Sequence, residues 1–392
     1  MVIFSNLQIL TDMGLQKNMS LVVRDKVIES IERVETVLTT QTDPTVEILE
    51  FPENYYLVPG FIDMHIHGAA GCDVMDATPT SFTTIRQTLA AEGTTGFLAT
   101  TMTATPSEIE NTLSAIRDYI KIQSTVPGAA ILGVHLEGPF LSPNKVGAQR
   151  ADQIMLPQKS YLEAWQTLSE NSIKLVTLAP ELSTSLEFIR YLKENNIIAS
   201  IGHTDATYAE SRMAITAGCT YATHLFNAMR GIHQREPGVI TAVLLSALVT
   251  AELILDGVHL HPAIVELILK VKGAEKLVLV TDAMRAKCLQ DGLYDLGGQD
   301  VIVENHIARL KDGTLAGSVL KMNSALRNLL AYTDCCFSDA IKMTSENQAK
   351  ALGIFARKGS IAVGKDADLV VLDNVFNVVM TVCEGKIIYR AA

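Results

Sequence analysis

Leu-Val-Pro-Gly-Phe-Ile-Asp-Met-His-Ile-His, residues 57–67 of this 392-residue chain, is an apolar stretch that ends in two histidines. Similar short apolar runs recur through the middle of the sequence, and segments with helical spacing separate several of them. We predict eight strands, at residues 57–65, 94–101, 130–137, 174–179, 197–203, 221–224, 251–256 and 276–282. Nearly continuous apolar strands joined by helices are typical of parallel sheets that are covered on both faces. The pattern therefore predicts an α/β fold, a (β/α)8 barrel of the TIM type.

The helix after the second of these strands has a readable start. Thr105 is the predicted N-cap, Pro106 occupies the first helical position, and Glu108 completes a capping box. Apolar residues then follow at helical spacing, at Ile109, Leu113, Ile116 and Ile120. We expect an amphipathic helix here.

The two ends of the chain do not continue this repeat. A length of 392 residues with 48% hydrophobic content allows one large core and a smaller satellite domain. Short β-like pieces occur before residue 55 and again from Gly359 onward. We predict that residues 1–55 and 356–392 together form a small β-sandwich domain, and that residues 56–355 form the barrel. Residues 291–317, with paired glycines and alternating apolar residues, predict a hairpin inserted after the eighth strand.

Charge and cysteine content exclude several classes of protein. The net charge is −11, and the 32 basic residues are scattered along the chain, which argues against a nucleic-acid or anionic-membrane partner. Six cysteines show no Cys-x-x-Cys pair, so we expect reduced thiols and a cytoplasmic protein.

Ionisable side chains stand where several of the predicted strands end. In a strand, His65 and His67 point to the same side and can converge on one ion. Imidazoles and carboxylates are the ligands that divalent ions of hydrolases use. The predicted metal ligands are His65, His67, Glu137, His203 and His224. Asp282, at the end of the last strand, is the predicted catalytic residue, a carboxylate that accepts a proton from the attacking water.

Each of these residues also has a simpler interpretation. A single histidine at a strand end is more often a structural or surface group than a ligand, so the prediction depends on the joint pattern. A buried Glu137 would cost several kcal/mol unless it were paired or bound to metal. His135 shares a strand face with Glu137, and it is either a further site residue or a neighbour in the barrel core. We favour the second.

Several motifs resemble those of the N-acetylglucosamine-6-phosphate deacetylases, a family of the amidohydrolase superfamily. They include His-Leu-Glu-Gly-Pro-Phe at 135–140, His-Leu-Phe-Asn-Ala-Met at 224–229, Val-Thr-Asp-Ala at 280–283 and Leu-Ala-Gly-Ser at 315–318. The likeness extends over the whole chain. It implies hydrolysis of the acetamide of N-acetylglucosamine 6-phosphate to glucosamine 6-phosphate and acetate, in amino-sugar catabolism and cell-wall sugar recycling.

The resemblance also implies a cofactor and a substrate site. The cofactor would be one or two divalent ions of Zn, Fe, Mn or Co, and the presence of both His65 and His67 favours two. The positions that match substrate contacts are Ala148, Gln149, Asn227, Ala228, Arg235, His259, Leu315, Ala316 and Gly317. Some members have a histidine in place of Gln149, so the group that polarises the amide carbonyl is open between the metal, His259 and another residue.

The implied partners are a phosphorylated amino sugar and a second copy of the chain, with Arg235 reaching the neighbouring active site of a homodimer. Without the motif, a surface Arg235 paired with Glu236 would be the default interpretation. A different amidohydrolase activity, on an N-acyl or cyclic amide, would keep every ligand and change the pocket alone. A non-catalytic assembly protein on the same fold is the other alternative, although such proteins typically lose their ligands.

Overall fold

Eight parallel strands form the centre of the molecule, as predicted. The structure is a computed structural model, and it describes residues 1–36 and 46–391. We number the barrel strands 1 to 8 in chain order: Phe61–Ile66, Thr94–Thr101, Ala130–Glu137, Ile173–Leu178, Ile198–Ile201, Tyr221–Ala222, Thr250–Ile254 and Leu277–Val280. Each strand pairs in parallel with the next one, from strand 1 through to strand 8. The predicted (β/α)8 barrel is confirmed.

The barrel closes between strands 8 and 1 through the residues at the ends of these strands. The amide of Asp282 donates to the carbonyl of His65 at 2.8 Å, and the amide of His67 donates to the carbonyl of Ala283 at 2.9 Å. A parallel bridge joins Ile66 to Ala283. The closing seam therefore lies at the carboxyl ends of the strands, where active sites of such barrels form.

Helices surround the barrel. Their bounds are Pro79–Ala90, Pro106–Ile122, Lys159–Leu168, Ser185–Glu194, Tyr208–Ala217, Gly238–Leu245, Pro262–Lys272 and Met322–Tyr332, followed by Phe337–Ile341, a π-helical turn Lys342–Glu346 and Asn347–Ala351. The predicted capping box is confirmed, because the amide of Glu108 donates to Thr105 Oγ1 and the amide of Thr105 donates to Glu108 Oε2. Within the described ranges, the helices are too short or too polar to cross a membrane.

Strands from both chain ends form a second sheet. They are Val2–Thr11, Gly14–Arg24, Val27–Arg33, Glu47–Glu50, Tyr56–Pro59, Leu369–Leu372, Val378–Cys383 and Lys386–Arg390, hydrogen-bonded into one sheet. Ile28 near one end of this sheet and Val382 near the other share one hydrophobic core. The sheet therefore folds back on itself, in agreement with the predicted sandwich.

The predicted strand at residues 57–65 is in fact two strands in different sheets. Tyr56–Pro59 pairs with Leu369–Leu372 in the terminal sheet, whereas Phe61–Ile66 is barrel strand 1. Between them lies Gly60, where an added Cβ would come within 2.2 Å of Thr95 Oγ1. The single predicted strand is wrong because a continuous apolar run does not reveal a change of partner sheet.

The insertion after strand 8 forms a small antiparallel sheet rather than a simple hairpin. Its strands are Gly292–Leu296, Gln299–Glu304 and Ile307–Leu310. Leu296, Val301 and Ala308 pack with Met102 and Met284 in a separate hydrophobic cluster. This packing fixes the inserted sheet beside the carboxyl-terminal rim of the barrel.

Candidate active site

The structure brings all six predicted metal and catalytic residues to one rim of the barrel. His65 belongs to strand 1 and His67 follows it, whereas Glu137 ends strand 3. His203, His224 and Asp282 each lie shortly after the end of strands 5, 6 and 8. These six residues form two groups of candidate ligands, Glu137 with His203 and His224, and His65 with His67 and Asp282. Within each group, the ligand atoms lie within 4.8 Å of one another.

In the first group, three ligand atoms converge on one point. Glu137 Oε1 lies 3.2 Å from His203 Nε2 and 3.1 Å from His224 Nε2, and the two Nε2 atoms are 3.1 Å apart. Ligand atoms around a tetrahedral ion with bonds of about 2.0–2.1 Å lie roughly 3.3 Å from one another. The donor types and their spacing both fit a divalent ion.

The second group faces the other oxygen of Glu137. His65 Nε2 lies 3.4 Å from both Glu137 Oε2 and Asp282 Oδ1, and His67 Nε2 lies 3.2 Å and 3.3 Å from the same atoms. Although it is buried, His65 Nε2 has no hydrogen-bond partner within residues 1–36 and 46–391. A buried nitrogen left without a partner and aimed at two carboxylates also fits a cation. Glu137 therefore offers one oxygen to each group.

The charges of this cluster depend on each other. Burial alone raises the pKa of the Glu137 carboxyl, but His65, His203 and His224 together hold it well below its ordinary value. Burial likewise raises the pKa of Asp282, but His65 and His67 lower it to about 2. Asp282 is thus ionised at neutral pH, which is the state that can accept a proton.

Three of these residues have a left-handed backbone. The φ angles are 44° at His203, 30° at His224 and 47° at Asp282. Residues with side chains adopt this region rarely, and such residues cluster at active sites. Hydrogen bonds hold two of these conformations: Glu252 Oε2 accepts from the amide of His224, and the carbonyl of Asp282 accepts from the amide of Ser318. The turn directs each side chain towards the rim immediately after its strand ends.

A cavity of about 460 Å³ opens directly above the ligand groups. Predicted substrate residues that line it are Ala148, Gln149, Asn227, Ala228, His259, Leu315 and Gly317. Two predicted positions lie elsewhere. Ala316 is fully buried in the cluster beneath the inserted sheet, and Arg235 is exposed in a loop outside the cavity lining.

Two predicted neighbours of Glu137 have defined contacts. Gln149 Nε2 donates to Glu137 Oε2 at 2.8 Å, while the amide of Thr103 donates to Gln149 Oε1 at 2.7 Å. The Gln149 amide thus orients the Glu137 carboxylate, in addition to lining the cavity. His135 has both ring nitrogens engaged, with the Met64 carbonyl and the Thr177 hydroxyl, and it packs in the barrel core as we favoured.

Four functional residues were missed in the sequence. Asp256 Oδ2 lies 2.6 Å from His259 Nδ1, and Lys145 and Arg309 line the cavity. Glu252, fully buried in strand 7, contacts both His65 and His224. A charged residue inside an apolar strand was a usable signal for Glu252, because a buried carboxylate needs a partner. Asp256 has a local partner three residues along the chain, whereas the positions of Lys145 and Arg309 depend on how distant loops meet.

A parallel barrel whose strand ends carry this histidine and carboxylate set defines a metal-dependent hydrolase. Residues 56–388 match the model of the amidohydrolase family, and the chain belongs to that family. It is 46% identical over 359 residues to the N-acetylglucosamine-6-phosphate deacetylase of Bacillus subtilis, covering 91% of each chain. It is 36% identical to the N-acetylgalactosamine-6-phosphate deacetylase of Escherichia coli O157:H7, covering 97% of each. A solved structure of a mutant N-acetyl-D-glucosamine-6-phosphate deacetylase from Mycobacterium smegmatis, in complex with N-acetyl-D-glucosamine-6-phosphate, matches with a TM-score of 0.89, 32% identity and 99% coverage of both chains.

Proposed function

We propose that this chain hydrolyses the acetamide of N-acetylglucosamine 6-phosphate to glucosamine 6-phosphate and acetate. The observation that carries the proposal is the position of Asp282, whose Oδ1 lies beside one ligand group while the residue lines the cavity. An ionised carboxylate at the junction of metal ligands and substrate space suits hydrolysis of an amide. The high identity to a deacetylase of this substrate supports the choice of sugar.

We propose two divalent ions as cofactors. Glu137 Oε1, His203 and His224 would hold one, and Glu137 Oε2, His65 and His67 would hold the other. Imidazole and carboxylate ligands accept Zn, Fe, Mn or Co, so the donor set leaves the metal open. When bound, such ions polarise a carbonyl and lower the pKa of water towards about 7.

Asp282 performs the proton transfers in this mechanism. It accepts a proton from the water as the new carbon–oxygen bond forms, and it returns that proton to nitrogen as the carbon–nitrogen bond breaks. Acetate and the amine leave as products. Without this proton, the amine would be a very poor leaving group.

His259 is held by Asp256 for a role at the sugar. Because Asp256 Oδ2 accepts from Nδ1, a neutral His259 presents Nε2 as an acceptor, which suits a sugar hydroxyl. Only a protonated ring would donate to the amide oxygen from Nε2. A neutral His259 would therefore not polarise the carbonyl, and a bound ion would supply that polarisation.

We propose that Arg235 from a second copy of the chain binds the substrate phosphate. Residues 231–235 are exposed, and the guanidinium of Arg235 forms no ion pair with any described residue. The described residues do not show the alternative pairing of Arg235 with Glu236, whose Oε1 atom accepts from the amides of Tyr208 and Gly238. Ile232, 53% exposed in the same loop, is suited to a contact between copies. We therefore propose a homodimer.

The cavity itself also suits an anion. Lys145 and Arg309 line it, although the chain as a whole carries a net charge of −11. Such local positive charge in an acidic protein attracts anionic substrates. We also propose a cytoplasmic location, which the six free cysteines support.

The test is acetate release by metal-reconstituted protein from three substrates in parallel. They are N-acetylglucosamine 6-phosphate, its unphosphorylated form, and N-acetylgalactosamine 6-phosphate, the substrate named for the relative from Escherichia coli. Preference for N-acetylglucosamine 6-phosphate supports the proposed reaction and the proposed phosphate site together. Preference for N-acetylgalactosamine 6-phosphate would support deacetylation but identify a different sugar as the substrate. No release from any of them, with metal bound, would favour another amide substrate or a non-catalytic protein.

A further inference from the structure

Glu252 carries a carboxylate in the barrel wall that the proposed mechanism does not use. It lies in barrel strand 7 and is fully buried. Its Oε1 atom has no hydrogen-bond partner in the described parts of the chain. Burial of a carboxylate with an unsatisfied oxygen costs several kcal/mol. The buried Tyr221 hydroxyl interacts with this carboxylate, and the close contacts of the other oxygen, Oε2, indicate a role at the site.

Glu252 Oε2 connects the two ligand groups. It lies 3.0 Å from His65 Nδ1, and it accepts from the amide of His224 at 3.0 Å. His65 belongs to one group and His224 to the other. One buried oxygen thus orients a ligand of each group, without itself facing the cavity.

A third ion between Glu252, His65 and His135 is a weaker interpretation, although their ligand atoms lie within 4.8 Å of one another. Both nitrogens of His135 already have partners, at 3.2 Å from the Met64 carbonyl and 2.7 Å from the Thr177 hydroxyl. His65 can offer an ion its Nε2 atom or its Nδ1 atom, and Nε2 is the one that lies beside Glu137 and Asp282.

We propose that Glu252 is a positioning residue that makes His65 a metal ligand. Because its carboxylate can only accept, it fixes the proton of His65 on Nδ1 and leaves the Nε2 lone pair free for an ion. Carboxylates hydrogen-bonded to ligating histidines act in this way in metal sites. His67 is fixed differently, since its Nδ1 lies 3.3 Å from the backbone carbonyl of Thr100. The inference rests on the proposed two-ion site.

The test is the substitution Glu252→Gln. The substitution keeps the shape of the side chain but removes its negative charge. The amide oxygen that remains at this position accepts more weakly from His65 Nδ1, so the proton and the ring are held less firmly. We expect affinity for the second ion to fall about 10- to 100-fold, the usual effect of losing such a partner. The first ion should bind nearly as in the wild type, because an amide oxygen can still accept from the backbone amide of His224, and the side chains of Glu137 and His203 are unchanged. Calorimetric titration of metal-free protein with Zn²⁺, with metal analysis after dialysis, measures both ions.

Two controls separate positioning from general damage. Glu92→Gln changes another buried glutamate, one paired with Lys287 at 2.7 Å, and should lower the melting temperature without selective loss of one ion. His65→Asn should abolish the second ion, and adding Glu252→Gln to it should weaken ion binding no further if Glu252 acts through His65.

Three results would overturn the inference: a wild-type protein that binds a single ion, an E252Q protein that binds both ions with unchanged affinity, or an equal loss of both. Acetate release is measured separately on the same samples. A deacetylase with one ion would refute the inference and leave the function intact. A protein that shows the expected selective ion loss but releases no acetate would support the inference and refute the proposed function.

Discussion

Replacing Asp282 with asparagine removes a charge and a proton acceptor while nearly preserving shape. The backbone contacts of this residue survive the change, because its amide donates to the His65 carbonyl and its carbonyl accepts from the Ser318 amide, each at 2.8 Å. The side chain loses its charge beside the ring nitrogens of His65 and His67. The fold should therefore remain, and so should the ion that Glu137, His203 and His224 are proposed to hold.

The expected loss of turnover follows from the assigned role. Removing a positioned general acid or base typically costs about 10²–10⁴ in rate. At about 1.36 kcal/mol per tenfold change, this is roughly 2.7–5.4 kcal/mol in the activation free energy. The loss should appear in kcat, with little change in KM, because Asp282 is assigned no substrate binding. The assay is acetate release at saturating N-acetylglucosamine 6-phosphate, expressed per bound metal ion.

Metal content decides how a loss of turnover is interpreted. If turnover per bound ion stayed within about threefold of the wild type, Asp282 would have no part in the chemistry. If, in addition, the metal content had fallen in proportion to the total turnover, Asp282 would be a ligand rather than a proton acceptor. Asp205→Asn is the matched control, since Asp205 pairs with Arg230 at 2.9 Å and should leave turnover unchanged.

Three further substitutions test the other assignments. His65→Asn should lower the metal content measured by elemental analysis from two ions to one per folded chain, and a content of two would exclude His65 as a ligand. Asp256→Asn should reduce kcat/KM about 10- to 100-fold, because His259 loses its charged partner, and an unchanged pH profile of kcat/KM would argue against this pairing. Arg235→Ala should reduce kcat/KM about tenfold or more for the phosphorylated sugar, since charge-assisted hydrogen bonds contribute about 1.5–3 kcal/mol each. Equal slowing of the unphosphorylated sugar would contradict phosphate recognition by Arg235.

The barrel could be predicted because its strands and helices follow local patterns, and the candidate ligands could be proposed for the same reason. Apolar runs mark the strands, and the period of two places His65 and His67 on one side. Strands 2 and 3 have the predicted bounds, at Thr94–Thr101 and Ala130–Glu137. The predicted strands 197–203 and 221–224 are too long, because Ile198–Ile201 and Tyr221–Ala222 end before their histidines. Hydropathy does not show that the chain leaves the strand for a left-handed turn.

Contacts between distant segments could not be predicted from such patterns. Tyr56–Pro59 reads as the start of barrel strand 1, and only its pairing with Leu369–Leu372 reveals that it belongs to the other sheet. Likewise, Lys145 and Arg309 come from distant parts of the chain, and only the structure brings both to the same cavity. Ala316 lies between two cavity residues in the chain and is nevertheless buried away from the cavity.

The seam that closes the barrel also supplies part of the candidate active site. Strands 8 and 1 close through hydrogen bonds of His65, His67, Asp282 and Ala283, three of which supply side chains to the site. Glu137 then faces these side chains with Oε2 and faces the histidines after strands 5 and 6 with Oε1. Removing so many imidazoles and carboxylates from water is costly unless cations or protons balance them. Ions held here would therefore connect strands 1, 3, 5 and 6 across the open end of the barrel, so that metal binding and closure of the fold stabilise each other.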